Sequence, residues 1–146
     1  MLPLIEDTTH NTKKSMDAQE FIRKEYAYAV VGASTDPHTY GYTVLKDLSN
    51  AGFAVVGINP KYHAIDGIQV YPTLKDVPGK IDVAVFVVPP EIGLSLLAQV
   101  EEKGIPRLWF QPGTESAEMT RAVHEAGIAM NLTGSCIMVA RRQLEN

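Results

Sequence analysis

Ala29-Val30-Val31-Gly32-Ala33-Ser34 is the stretch whose reading decides the fold. A short apolar run stops at Gly-Ala-Ser, and a segment of helical pattern opens soon after. Strand, small-residue turn, then helix is the layout of a phosphate-binding turn at the head of a parallel sheet. Gly32 and Ala33 allow the backbone amides to come close to a phosphate, and Ser34 and Thr35 add hydroxyls. Tyr40 and Gly41 lie where the next helix begins, an end that carries partial positive charge. The strict Gly-x-Gly-x-x-Gly pattern is absent, and the spacing from Gly32 to Gly41 implies a longer connection than the standard dinucleotide turn. The competing reading is that Gly32 closes a strand in an α/β protein without a ligand.

Working outward, strands and helices alternate. Strands are expected at 28–31, 53–58, 68–71, 83–88, 107–110 and 128–131. Helices are expected at 43–51, 91–103 and 115–126, each followed by a stop glycine: Gly52, Gly104 and Gly127. A turn of helix falls at 74–77, and 135–144 reads as a last short helix or strand. Ser15 caps an expected helix over 16–24, without a full capping box because Ala18 stands where Glu or Gln would be. This alternation predicts an α/β fold: a single doubly wound parallel sheet of five to six strands, order 3-2-1-4-5-6, in three α/β/α layers.

The 146 residues suffice for one domain with a sizeable core. Residues 1–15 read as a flexible polar lead-in and 16–146 as the domain. The net charge of −4, with no Lys/Arg run, argues against a nucleic-acid partner. No apolar stretch reaches the ~18 residues of a membrane span, and the first 15 residues lack a signal-type apolar core. The single cysteine cannot form an internal disulfide, which fits a cytoplasmic setting.

In such sheets ligands sit at the carboxyl ends of the strands. After strand two the chain reads Asn59-Pro60-Lys61-Tyr62, where an NAD-binding fold would place an acidic residue for the ribose. Lys61 instead suits an extra phosphate; otherwise it is a solvated lysine after a turn. Val88-Pro89-Pro90 opens a helix, with Pro90 suited to its first turn, and forms an apolar wall that either serves a ligand or only starts the helix. Gln111-Pro112-Gly113-Thr114 faces a ligand arm through Gln111 and Gly113, or simply caps a helix through Thr114. Trp109 and Phe110 read as core. Cys136 lies in the last loop, either near the site or as a small buried residue. His10, His38, His63 and His124 form no metal-ligand or triad pattern.

The chain resembles the CoA-binding domain family, small stand-alone Rossmann-like proteins similar to the CoA domain of the succinyl-CoA synthetase alpha subunit. The resemblance covers roughly residues 26–142. It rests on Val31-Gly32-Ala33-Ser34, Gly52-Phe53-Ala54-Val55, Asn59-Pro60-Lys61-Tyr62, Gly67 before Val70-Tyr71-Pro72, Asp82, Val88-Pro89-Pro90, Trp109-Phe110-Gln111-Pro112-Gly113 and Cys136. It implies coenzyme A, or an acyl-CoA, as the ligand. Gly32, Ala33 and Ser34 would meet the phosphates, Lys61 the phosphorylated adenosine end, and Pro89-Pro90 the adenine or pantetheine portion. The chain is too short for the further domains of the synthetase relatives, so it reads as a binding module rather than a complete enzyme: a carrier, a sensor or a partner of a thioester enzyme. A homodimer is a further expectation, since the N-terminal extension and the apolar C-terminal segment need somewhere to pack. The alternative is an NADP-binding oxidoreductase in which Lys61 holds the 2′-phosphate. A third reading has CoA in a mixed disulfide with Cys136.

Overall fold

The computed structural model describes residues 18–128 and 130–145. The expected lead-in and the Ser15 cap lie outside them. Seven strands form one sheet: β1 (Ala27–Val31), β2 (Ala54–Ile58), β3 (Ala64–Ile65), β4 (Ile68–Tyr71), β5 (Val83–Phe86), β6 (Arg107–Phe110) and β7 (Met130–Leu132). Five α-helices cover it: α1 (Tyr40–Asn50), α2 (Pro90–Ser95), α3 (Leu97–Lys103), α4 (Ala117–Glu125) and α5 (Ile137–Glu145). The strand order is β3-β4-β2-β1-β5-β6-β7. Every pair is parallel except β3 with β4. The parallel strands therefore follow the expected order, and the sheet carries one strand more than expected.

That extra strand comes from a two-residue hairpin. Ala64 pairs with Gln69 and Ile65 with Ile68 across Asp66-Gly67. Both turn residues have positive φ, 49° and 82°, the geometry for which an Asp-Gly pair is favoured. Asp66, the only non-glycine of this kind among the described residues, is held from α1: the Tyr42 hydroxyl donates to its carboxylate at 2.5 Å, and Lys46 pairs with it at 3.3 Å. These two contacts hold the Asp66 carboxyl below its usual range.

Side chains alternate across the central strands, so each strand feeds two cores. Tyr28, Val30, Val83, Val85 and Trp109 pack under α1 and α5. Ala29, Val31, Ala84, Phe86, Leu108 and Phe110 pack under α3 and α4. The core expectation for Trp109 and Phe110 holds; they are 0% and 1% exposed. β2 is covered less completely than its apolar run suggests, since Ala54 is exposed and only Gly57 and Ile58 are buried. Across the first layer, the Arg141 guanidinium grips Asp47 with two bonds, Nε to Oδ2 at 2.7 Å and Nη2 to Oδ1 at 3.0 Å, joining α5 to α1.

Three further elements differ from expectation. The described part of the first expected helix is a single 3-10 turn, Ala18–Glu20. The Tyr28 hydroxyl bonds the Phe21 carbonyl (2.7 Å) and receives the Arg23 amide (3.0 Å), so both backbone groups are held outside a helical ladder. The turn drops Phe21 edge-on against Trp109, ring centroids 5.7 Å apart. The helix expected over 91–103 breaks at Leu96, where the Leu96 amide bonds the Gly93 carbonyl and Ser95 Oγ bonds back to the Ile92 carbonyl at 2.7 Å, a contact that bends helices. Ser116, not Thr114, caps α4, accepting the Met119 amide at 3.0 Å.

Candidate functional site

The site is built around β1 at the carboxyl edge of the sheet. Gly32 has φ +102°, and a Cβ there would stand 2.6 Å from Val88 Cγ1. Gly41 sits in the first turn of α1, where a Cβ would stand 2.1 Å from the Gly32 carbonyl oxygen. The two glycines therefore let the loop fold back and α1 press onto it. This is the close approach the third glycine provides in the shorter dinucleotide turn; here the longer connection supplies it at position 41.

The amides of this loop divide into two groups. Gly32 N–H donates to the Ile58 carbonyl at 3.0 Å and extends the sheet. It is thus withdrawn from the phosphate role expected of it, because the β2 neighbour claims it first. The amides of Ala33, Ser34 and Thr35 have no hydrogen-bond partner among the described residues. Ala33 is fully buried, so only the Ser34 and Thr35 amides are open to a ligand; consecutive free amides next to a helix N-terminus suit an anion. Thr39 caps that helix, its Oγ1 accepting the Tyr42 amide at 3.3 Å and donating to the Asp36 carbonyl at 2.8 Å.

The loop's shape is held from β2. Asn59 Nδ2 donates to the Ala33 carbonyl at 2.8 Å, while its Oδ1 accepts the Lys61 amide at 2.8 Å. Ser34 Oγ accepts the Asp36 amide at 3.0 Å. Thr35 Oγ1 reaches the Tyr62 hydroxyl at 3.4 Å. That bond, helped by Ser34 and Lys61, holds the Tyr62 phenol below its usual range. In the sequence Tyr62 carries only a weak signal, an aromatic two residues beyond Pro60.

Beneath the loop a cleft of about 470 Å³ opens between β1, β2, β4 and the α2–α3 pair. Its floor is Val31, Gly32 and Ile58; its sides come from Asn59 and Pro60, from Pro72 and Thr73, and from Val88, Ile92, Leu96 and Gln99. The break at Leu96 lets Leu96 face the cleft while Leu97 enters the core. This volume is that of a small-molecule pocket, apolar with a few placed polar groups.

The other candidate residues scatter around it. Lys61 is exposed and directly follows Pro60, which lines the cleft. Pro89 is the N-cap of α2 and Pro90 its first residue, as a missing N–H allows. Tyr40, first residue of α1, is 53% exposed. Gln111 is fully buried: its Oε1 accepts the Ile137 amide at 2.7 Å and its Nε2 donates to Cys136 Sγ at 3.4 Å. Its side chain thus holds the start of α5 and is committed at both ends. Gly113 has φ +90° in the turn after it. Cys136 lies on the α5 side of the sheet, in a separate groove with Ala18 and Gln143. Asp82 takes the Ala27 amide at 2.8 Å at the amino ends of β1 and β5, the opposite edge from the cleft. His38 pairs with Asp36 at 3.3 Å in the open; His10 lies outside the described residues.

Residues 26–142 match the family described as CoA binding domain. The chain belongs to the CoA binding domain family. The matched family is thus not one of NADP-dependent oxidoreductases. Among curated relatives, this CoA binding domain is 37% identical over 78 residues to the alpha subunit of an ADP-forming acetate–CoA ligase II from Pyrococcus furiosus. That match covers 53% of this chain and 17% of the subunit, so the chain spans less than a fifth of the ligase relative's length. Among solved structures, a conserved hypothetical protein from Pyrococcus furiosus shares 45% identity at TM-score 0.74, covering 78% of this chain and 97% of that one. A hypothetical protein from Pyrococcus horikoshii shares 32% identity at TM-score 0.81, covering 89% and 91%. No helix among the described residues is long and apolar enough to cross a membrane.

Proposed function

We propose that this protein binds coenzyme A or an acyl-CoA in the cleft at the carboxyl edge of its sheet, and acts as a carrier, a sensor or the CoA-holding partner of a thioester enzyme. The observation that carries the reading is the pair of unpartnered amides at Ser34 and Thr35 beside the N-terminus of α1, with Ala33 buried behind them. A diphosphate placed there meets donors already fixed in position, so little ordering is needed on binding. Lys61 directly follows Pro60, which lines the cleft with Pro72, and is suited to a phosphate on the ribose while the base enters the cleft. Val88, directly before Pro89 and Pro90, lines the cleft, so the two prolines stand beside it for the adenine or pantetheine portion.

The ligase relative carries this region as a small part of a longer subunit, which supports the partner role.

Calorimetric titration with CoA, dephospho-CoA and NADPH tests the reading. CoA is expected to bind tightest and dephospho-CoA more weakly. Tight binding of NADPH without binding of CoA would overturn it.

A further inference from the structure

Among the polar side chains that line the cleft, Asn59 is already engaged at both ends, by the Ala33 carbonyl and the Lys61 amide. Two others remain on one wall. Gln99 Oε1 accepts the Leu74 amide at 3.1 Å. A backbone N–H can only donate, so this bond fixes which end of the Gln99 amide is which. Its Nε2 is left over, with no hydrogen-bond partner among the described residues. The neighbouring Thr73 gives its single hydroxyl proton to the Asp76 carboxylate at 2.8 Å. What Thr73 then offers is a lone pair. Because Leu74 directly follows Thr73, the two groups adjoin. The wall therefore presents one donor beside one acceptor, flanked by Pro60, Pro72, Ile92 and Leu96.

We infer that Thr73 and Gln99 read the edge of the adenine ring. Adenine carries an amino donor next to a ring-nitrogen acceptor, the complement of that pair. Gln99 Nε2 donates to the ring nitrogen, and the exocyclic amino group donates to Thr73 Oγ1. The prolines and aliphatic side chains cover the two faces of the ring. The base, rather than the pantetheine arm, belongs here because the wall lies on the β2–β4 side of the phosphate turn, where Pro60, the residue before Lys61, also lines the cleft. This inference rests on the CoA reading and deepens it.

The test compares CoA with its deamino analogue, in which hypoxanthine replaces adenine. The analogue keeps the phosphates, ribose and arm, but sets a carbonyl where the amino donor was and an N1–H donor where the N1 acceptor of adenine was. The wild-type protein is expected to bind CoA about tenfold more tightly than the analogue, since two hydrogen bonds are lost and two acceptors face each other. Gln99→Glu keeps an oxygen for the Leu74 amide and replaces the free donor by an acceptor. Thr73→Val removes the other partner at nearly constant shape. In each variant the preference is expected to shrink to about twofold or less. The ratio of the two affinities cancels general effects, including the added negative charge, and thermal unfolding confirms that each variant is folded. Equal binding of both ligands by the wild type overturns the inference alone, as does a preference unchanged in both variants. No binding of CoA by the wild type overturns the CoA reading and the inference together.

Discussion

Gly41 packs against Gly32 so tightly that a Cβ at position 41 would stand 2.1 Å from the Gly32 carbonyl oxygen. The obstacle is backbone, not a movable side chain, and the two residues bracket the loop that bears the free amides. Gly41→Ala is therefore expected to push α1 away from the loop. The strain should cost about 1–3 kcal/mol or more and lower the CoA affinity together with the unfolding midpoint. Calorimetry and thermal unfolding check it; a variant as stable as the wild type, with unchanged affinity, would remove Gly41 from this role.

Asn59 ties the end of β2 to the Ala33 carbonyl. Asn59→Ala leaves that carbonyl and the Lys61 amide without their partners. A loss of about 1–3 kcal/mol is expected, read partly as stability and partly as weaker CoA binding. Faster amide exchange at residues 33–36 is the local signature to measure.

Lys61 is exposed, so its pull on a phosphate is screened. Lys61→Ala should narrow the difference between CoA and dephospho-CoA by about 1 kcal/mol, the range of exposed charge pairs. Raising the salt concentration should narrow it in the wild type as well. An unchanged difference would place the ribose phosphate elsewhere.

The Asp47–Arg141 pair is mostly buried, with side-chain exposures of 18% and 10%. Removing Arg141 leaves Asp47 poorly solvated, while removing Asp47 leaves Arg141 with Glu145 alone, which its Nη1 bonds at 2.9 Å. Arg141→Met and Asp47→Asn are each expected to destabilise by about 1–3 kcal/mol, with a positive coupling energy in the double-mutant cycle by chemical denaturation. CoA affinity should change little, since the pair lies on the α1–α5 face away from the cleft.

Burial pushes the Tyr28 phenol up to about 12, from 10.0 in an exposed tyrosine. Between those values the folded protein keeps a proton that the unfolded chain has released. The associated stability is fully present below pH 10 and is lost as pH rises toward 12. The total loss is about 2–3 kcal/mol. Denaturation curves from pH 9 to 12 should fall accordingly, and Tyr28→Phe should flatten that fall while costing about 1 kcal/mol at neutral pH through the lost bond to the Phe21 carbonyl.

Several elements were legible without coordinates. Ile68–Tyr71 and Arg107–Phe110 lie where the apolar runs place them, and Gly104 ends α3 in a left-handed conformation. The β3 hairpin was missed although Asp66-Gly67 signals such a turn. The split at Leu96 was not legible, because the apolar spacing of 91–103 runs through the break unchanged.

The sequence by itself determined the alternation of strands and helices and the small-residue turn between β1 and α1. Such features are local, since periodicity records which face of each segment leaves water. The tertiary structure alone decided that Gly32 gives its amide to Ile58, that Gln111 is locked into the start of α5, and that Gln99 is left with a free donor on the cleft wall. Those outcomes depend on hydrogen-bond partners some 25 residues apart, and a partner is fixed only when the chain brings both groups together.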